Sequence, residues 1–289
     1  MPFFNISCSQ EVDTTTNLSK ESNSGGARIA LAVSDLSIGT HRLAFGIIEP
    51  GIGPIRNDEV KLETFFLQDE KNPLLKETLV AEFQEWPVGE KGVYTSMATF
   101  DKAGKWGIGV TFQTSANLTK KTSATIEVTE KSQAPSVGDK AYPSKNLIND
   151  TYKNINNLTT DPNPYPPFYE YSIEESLNEN VSFLILFASP AFCTTGTCGP
   201  QIDIVKNLHL DFSKEVVFIH VEIYENSEDI KGDISNASLV QAVKDWNLPS
   251  EPWVFLVDKD GIIRQRFEGL ATYQEIKSAF IQNKFITQK

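Results

Sequence analysis

The sequence predicts a chain in two parts, an all-β half read as a β-sandwich and then an α/β half. Three observations carry this. Between Ala27 and Thr129, short stretches that alternate apolar and polar residues are separated by turn residues. From Lys131 to Tyr171 that periodicity stops, and Pro, Asn, Thr and Tyr take over. From Ser172 onward, strand-like and helix-like patterns alternate.

In the first part the expected strands are Arg28 to Val33, Arg42 to Ile48, Val60 to Leu67, Glu77 to Phe83, Gly92 to Phe100, Trp106 to Gln113 and Thr122 to Val128. Seven strands in about a hundred residues suggest a sandwich. Gly51 and Gly53 beside Pro50 and Pro54, and the run from Asp101 to Gly104, supply the turns. With no cysteine pair in this half, the core rests on apolar packing by Phe45, Phe65, Tyr94, Phe100, Trp106 and Phe112. The stretch 131–171 reads as a linker, and the aromatic content of Tyr165 to Tyr169 predicts that this piece lies against folded structure.

In the last part, Ser172 with Glu175 forms a capping box that opens a short helix. Val181 to Phe187 reads as a buried strand, and Gln201 to Phe212 as a helix with Ile202, Val205, Leu208 and Phe212 on one face. Val216 to Ile223 is the next strand, followed by a helix capped by Asn236 or Ser238 with Leu239, Val243 and Trp246 sharing a face. Trp253 to Val257 and Ile262 to Phe267 form a hairpin through the turn Asp258 to Gly261. A second capping box, Thr272 with Glu275, starts the last helix, with Ile276, Ala279 and Phe280 inward.

The chemistry concentrates between Phe183 and Gln201, where an apolar strand runs into a turn holding Cys193 and Cys198, two of the chain's three cysteines. A cysteine delivered to the first turn of a helix meets backbone N–H groups and a dipole that favour a thiolate. Four residues separate the sulfurs, so pairing them requires Thr194 to Thr197 to loop, which Gly196 permits.

The balance of 38 acidic against 26 basic residues, net charge −12, argues against nucleic acid or an anionic membrane surface as an electrostatic partner. No apolar run approaches the roughly 18 residues that span a bilayer. Met1 to Ser7 is a short apolar stub ending at Cys8, followed by a polar tract from Ser9 to Gly26, and it resembles the end of a bacterial lipoprotein signal. In that reading Cys8 is lipidated and the tract tethers the folded part to the membrane; the alternative is a polar tail with one incidental cysteine.

Two further resemblances follow from motifs. Arg42 to Ile48, and Gly92 to Val110 with its Gly-x-Trp, resemble the YtkA-like and FixH-like extracytoplasmic sandwiches. Phe187-Ala188 ahead of the cysteines, Cys198-Gly199-Pro200, and Glu251-Pro252 ahead of a strand resemble the thioredoxin fold over Ser172 to Gln282. Together they imply an N-terminal Ig-like sandwich at 27–130 after a tether at 1–26, a linker at 131–171, and a C-terminal α/β thioredoxin-like domain at 172–289.

The thioredoxin resemblance implies that Cys193 is the nucleophile, Cys198 the resolving thiol, and Pro252 a cis-proline shaping the substrate groove. Glu251 beside it would raise a thiol pKa and make the thiolate scarcer. The expected activity is thiol–disulfide exchange with protein thiols or disulfides outside the cytoplasm, with no cofactor and no resident metal. Two alternatives stay open. One is a binding module in which Cys193–Cys198 is a structural disulfide. The other is a Sco-like copper carrier in which both cysteines and a histidine, His209 or His220, bind the ion. His41 and Met97 are too few to make a copper cluster in the first half. Asp258, Asp260 and Glu268 read as solvated turn residues.

Overall fold

The computed structural model describes residues 26–287 apart from 70–71, 88, 90, 150–154, 226–229 and 231–232. Cys8 and its polar tract therefore lie outside the described residues.

Among the described residues, eight strands build the first half: β1 (Arg28–Leu31), β2 (Gly39–Glu49), the two-residue β3 (Gly53–Pro54), β4 (Glu59–Phe66), β5 (Leu74–Glu85), β6 (Gly92–Phe100), β7 (Gly104–Gln113) and β8 (Thr119–Val128). All seven expected stretches are strands, several of them longer than the pattern suggested. They pair in one antiparallel sheet of order β1-β2-β6-β5-β4-β7-β8, with β3 added to β2. The two ends approach each other, where Thr122 Oγ1 donates to the Ala27 carbonyl at 2.6 Å and Ser37 bridges to Thr129. The sheet curls around Phe45, Tyr94, Phe100, Trp106 and Phe112, all buried, with edge-on packing of Phe100 against Trp106 at 4.9 Å.

The second half holds a four-stranded mixed sheet, β10-β9-β11-β12, made of β9 (Phe183–Phe187), β10 (Val217–Val221), β11 (Trp253–Val257) and β12 (Ile263–Glu268). β10 runs parallel to β9, and the other neighbours are antiparallel. β9 is buried along its whole length because its two faces feed two cores. Leu184 and Leu186 join Val254 and Leu256 on one side, while Phe183, Ile185 and Phe187 join Trp253 and Phe255 on the other. Among the described residues the α-helices are α1 (Ile173–Asn178), α2 (Cys198–Phe212), α3 (Gln241–Asp245) and α4 (Tyr273–Gln282). α1 and α4 start with the expected capping boxes, at Ser172 and Thr272. α3 begins after Val240, so neither Asn236 nor Ser238 caps it.

The expected fold class is corrected. The protein is mostly β, 38% strand against 19% helix, and no thioredoxin-like α/β fold is evident. The strands of the first half form one nearly closed, barrel-like sheet instead of two stacked Ig-like sheets, which also removes the YtkA-like and FixH-like resemblance. The reason is strand length: β2 and β5 run 11 and 12 residues, long enough for accumulated twist to bring β1 round to β8. In the second half the sheet is small, and α1 and α3 extend only six and five residues.

Buried charged contacts join the two sheets. Arg266 on β12 reaches Asp35 at 3.0 Å and also donates to the carbonyls of Asp35, Ala134 and Pro135. Arg42 on β2 forms a two-pronged pair with Glu275 at the start of α4, at 2.7 and 3.2 Å. The Glu268 carboxylate accepts from the Ser34 and Asp35 N–H groups and from the Ser34 and Ser250 hydroxyls. It is a buried clamp, not the solvated turn residue expected. The described parts of 131–171 pack as well: Gly138 and Ala141 N–H bond to the β11–β12 hairpin, and Phe168 and Tyr169 enter the core.

Candidate functional site

β9 is a run of five apolar residues that emerges from the sheet into Ala188 and Ser189, both buried. The chain then loops through Cys193 and enters α2 at Cys198. The two cysteines form a disulfide with Cα atoms 6.0 Å apart. Gly196 sits between them at φ +68°, a conformation that strains any residue with a Cβ.

The two sulfurs live in different surroundings. Cys198 is fully buried against the α2 core, whereas Cys193 is only partly buried at its edge. The Cys193 sulfur accepts the backbone N–H of Cys198 at 3.3 Å and lies 3.3 Å from Thr195 Oγ1, whose own neighbour is the Thr197 hydroxyl at 2.7 Å. The first turn of α2 carries no acidic residue and no side-chain cap, so the positive end of a 15-residue helix faces this sulfur undiminished.

Glu251 closes the site from β11, joined to Pro252 by a cis peptide. Its Oε2 accepts the Ser189 N–H at 2.8 Å and lies 3.5 Å from Cys198 Sγ. Burial pushes the Glu251 carboxyl up to about 7, helped by the Glu222 charge and opposed by the Ser189 N–H. The carboxyl is thus poised to hold or release a proton near neutral pH, beside the buried sulfur. Glu251 and Cys198, both named from the sequence, are brought together here. The Pro252 carbonyl accepts the Gly269 N–H at 2.9 Å, tying the start of β11 to the end of β12.

A polar cluster missed at the sequence level backs this site. Glu222, just past β10, accepts from the N–H and hydroxyl of Thr160 at 2.7 and 2.9 Å, and the same hydroxyl accepts the Ala191 N–H of the cysteine loop. Its only signal in the sequence is an acidic residue at the end of an apolar strand. His220 is buried, with Nε2 3.0 Å from the Ala188 carbonyl and Nδ1 2.6 Å from the Tyr169 hydroxyl. A carbonyl can only accept, so Nε2 carries the proton and Nδ1 accepts from Tyr169. Burial lowers the His220 pKa and keeps the ring neutral, although Glu222 pulls the other way. His209 contacts the Tyr165 hydroxyl through Nδ1 at 3.1 Å. Both histidines named for copper are thus engaged by tyrosines, and among the described residues no group of three His, Cys, Asp or Glu could hold a metal ion.

No family model matches the chain, and no curated protein matches it. Among the described residues no helix is long and apolar enough to cross a membrane.

Proposed function

We propose that the protein exchanges thiols and disulfides with protein partners outside the cytoplasm through the Cys193/Cys198 pair. The observation that carries this reading is the asymmetry of the pair. A partly exposed sulfur accepts a backbone N–H at a helix start, and a buried one lies beside a carboxyl held near neutrality.

A partner thiolate attacks Cys193 Sγ, forming a mixed disulfide while the Cys193–Cys198 bond breaks and its electron pair goes to Cys198 Sγ. Glu251, protonated, gives that sulfur a proton and becomes a carboxylate hydrogen-bonded to the new thiol. A second partner thiolate then attacks the partner's sulfur and expels Cys193 as a thiolate, which the Cys198 N–H stabilises. The partner dithiol loses two electrons and becomes a disulfide; the protein gains them. The reverse sequence oxidises the protein.

A cysteine pair held as a disulfide suits an oxidising compartment, which supports the extracytoplasmic placement. Lipidation of Cys8 is the proposed means of attachment, and mass spectrometry of the mature N-terminus tests it: an unmodified Met1 terminus in the native host excludes it. For the exchange itself, Cys198→Ser should trap a partner as a mixed disulfide on Cys193. No trapped partner, together with a reduction potential well below about −300 mV, would overturn exchange in favour of a structural disulfide.

A further inference from the structure

A half-open trough of about 510 Å³ runs between the curled sheet and the cysteine end of the small sheet. This is within the ~300–1,000 Å³ range of ligand clefts. Its sheet-side wall is apolar, formed by Leu31, Ile48, Ile55, Phe83, Trp86 and Val93. Leu31 and Ile48, both lining the trough, are 41% and 44% exposed as whole residues. The opposite wall includes Thr195, Thr197 and Glu251, so the trough ends against the cysteine loop, one hydroxyl from the Cys193 sulfur. Two exposed cations, Arg56 and Lys91, also line it, in a chain whose net charge is −12.

We propose that this trough is the substrate groove of the exchange reaction, and that it takes an apolar polypeptide stretch flanking a cysteine, with an acidic residue near that cysteine. The inference rests on the exchange reading and names its substrate class. The disulfide lies behind the Thr195 hydroxyl at one end of the trough and exchanges with thiolates, and the wall beside it favours apolar over charged neighbours, which selects a cysteine in an apolar stretch over a small hydrophilic thiol. Lys91 supplies the complement for an acidic side chain against the overall charge, while Arg56 is already paired with Glu85. The bond changes are those given above, with the peptide cysteine as the attacking thiol.

The test measures the rate constant for mixed-disulfide formation between the full-length oxidised protein and single-cysteine peptides. One peptide is apolar with a glutamate beside the cysteine, one is the same with lysine, and one is rich in serine and asparagine; dithiothreitol is the control. The apolar acidic peptide should react at least about ten-fold faster than the polar one. Ile48→Asp should abolish that preference and leave reduction by dithiothreitol unchanged, and Lys91→Glu should reverse the order of the glutamate and lysine peptides. Leu31→Ser, at the second exposed wall position, repeats the first arm should Ile48→Asp not fold.

Equal peptide rates alongside normal reduction by dithiothreitol would overturn the groove and leave exchange standing. A pair that neither dithiothreitol nor any peptide reduces would overturn both. Binding of phosphatidylcholine vesicles that Ile48→Asp removes, with no peptide preference, would assign the trough to lipid and overturn the polypeptide reading.

Discussion

At the scale of single residues, Glu251 carries the most consequence. Its carboxyl is raised from an ordinary 4.5 to about 7 by burial, so the fold prefers its protonated form. Stability from that preference is complete below pH 4.5 and is lost as pH rises through about 7. Glu251→Gln keeps the shape without the titration. The melting temperature of the oxidised variant should therefore gain on wild type between those pH values and level off above; a constant difference would contradict the assignment. Tyr169 makes a narrower claim. Its hydroxyl donates to His220 Nδ1, and Tyr169→Phe removes that donor from a buried nitrogen. The expected loss is about 1–3 kcal/mol by urea denaturation. Neither Glu222 nor this tyrosine–histidine contact was legible in the sequence, because each joins residues tens of positions apart. Cys193, Cys198 and the Glu251-Pro252 pair were legible because cysteines are few in this chain and each feature lies in the stretch that leaves or enters an apolar strand.

At the scale of elements, local signals were read well. The capping boxes at Ser172 and Thr272 form with both their bonds, and the Asp258 to Gly261 turn joins β11 and β12. These depend on residues within four positions of each other, the range over which sequence dictates backbone directly. Ser172→Ala should cost about 1 kcal/mol, seen as an earlier denaturation midpoint at unchanged slope. What failed was the pairing of strands. Alternation every second residue marks a strand whether its sheet stacks on another or curls back on itself. The choice between sandwich and barrel-like sheet lies in contacts such as β1 with β2 and β4 with β7, which leave no local trace.

At the scale of the whole molecule, the two sheets are joined by buried charge instead of a solvated tether. Asp35 and Arg266 have side chains 2% and 8% exposed, and removing one partner leaves the other's buried charge uncompensated. Asp35→Ala should cost ~3–5 kcal/mol. Glu85→Ala, which breaks the half-exposed pair with Arg56, should cost under ~1 kcal/mol. Similar losses in both variants would show that the Asp35 contact does not join the sheets. The composition foretold none of this, since a buried arginine and a surface arginine count alike in a sequence.

The Glu268 clamp bears on how a partner would be met. One carboxylate holds Ser34 from the curled sheet and Ser250 from the approach to β11, and all three residues line the trough. Walls fastened to each other at such a point do not swing apart. On the groove proposed above, a partner would meet a receptor already in its final shape, so no opening step would limit its arrival and little ordering entropy would be lost on docking. Selectivity in such a receptor is geometric: a chain too bulky for the fixed width is turned away at the rim, before its sulfur comes near the disulfide.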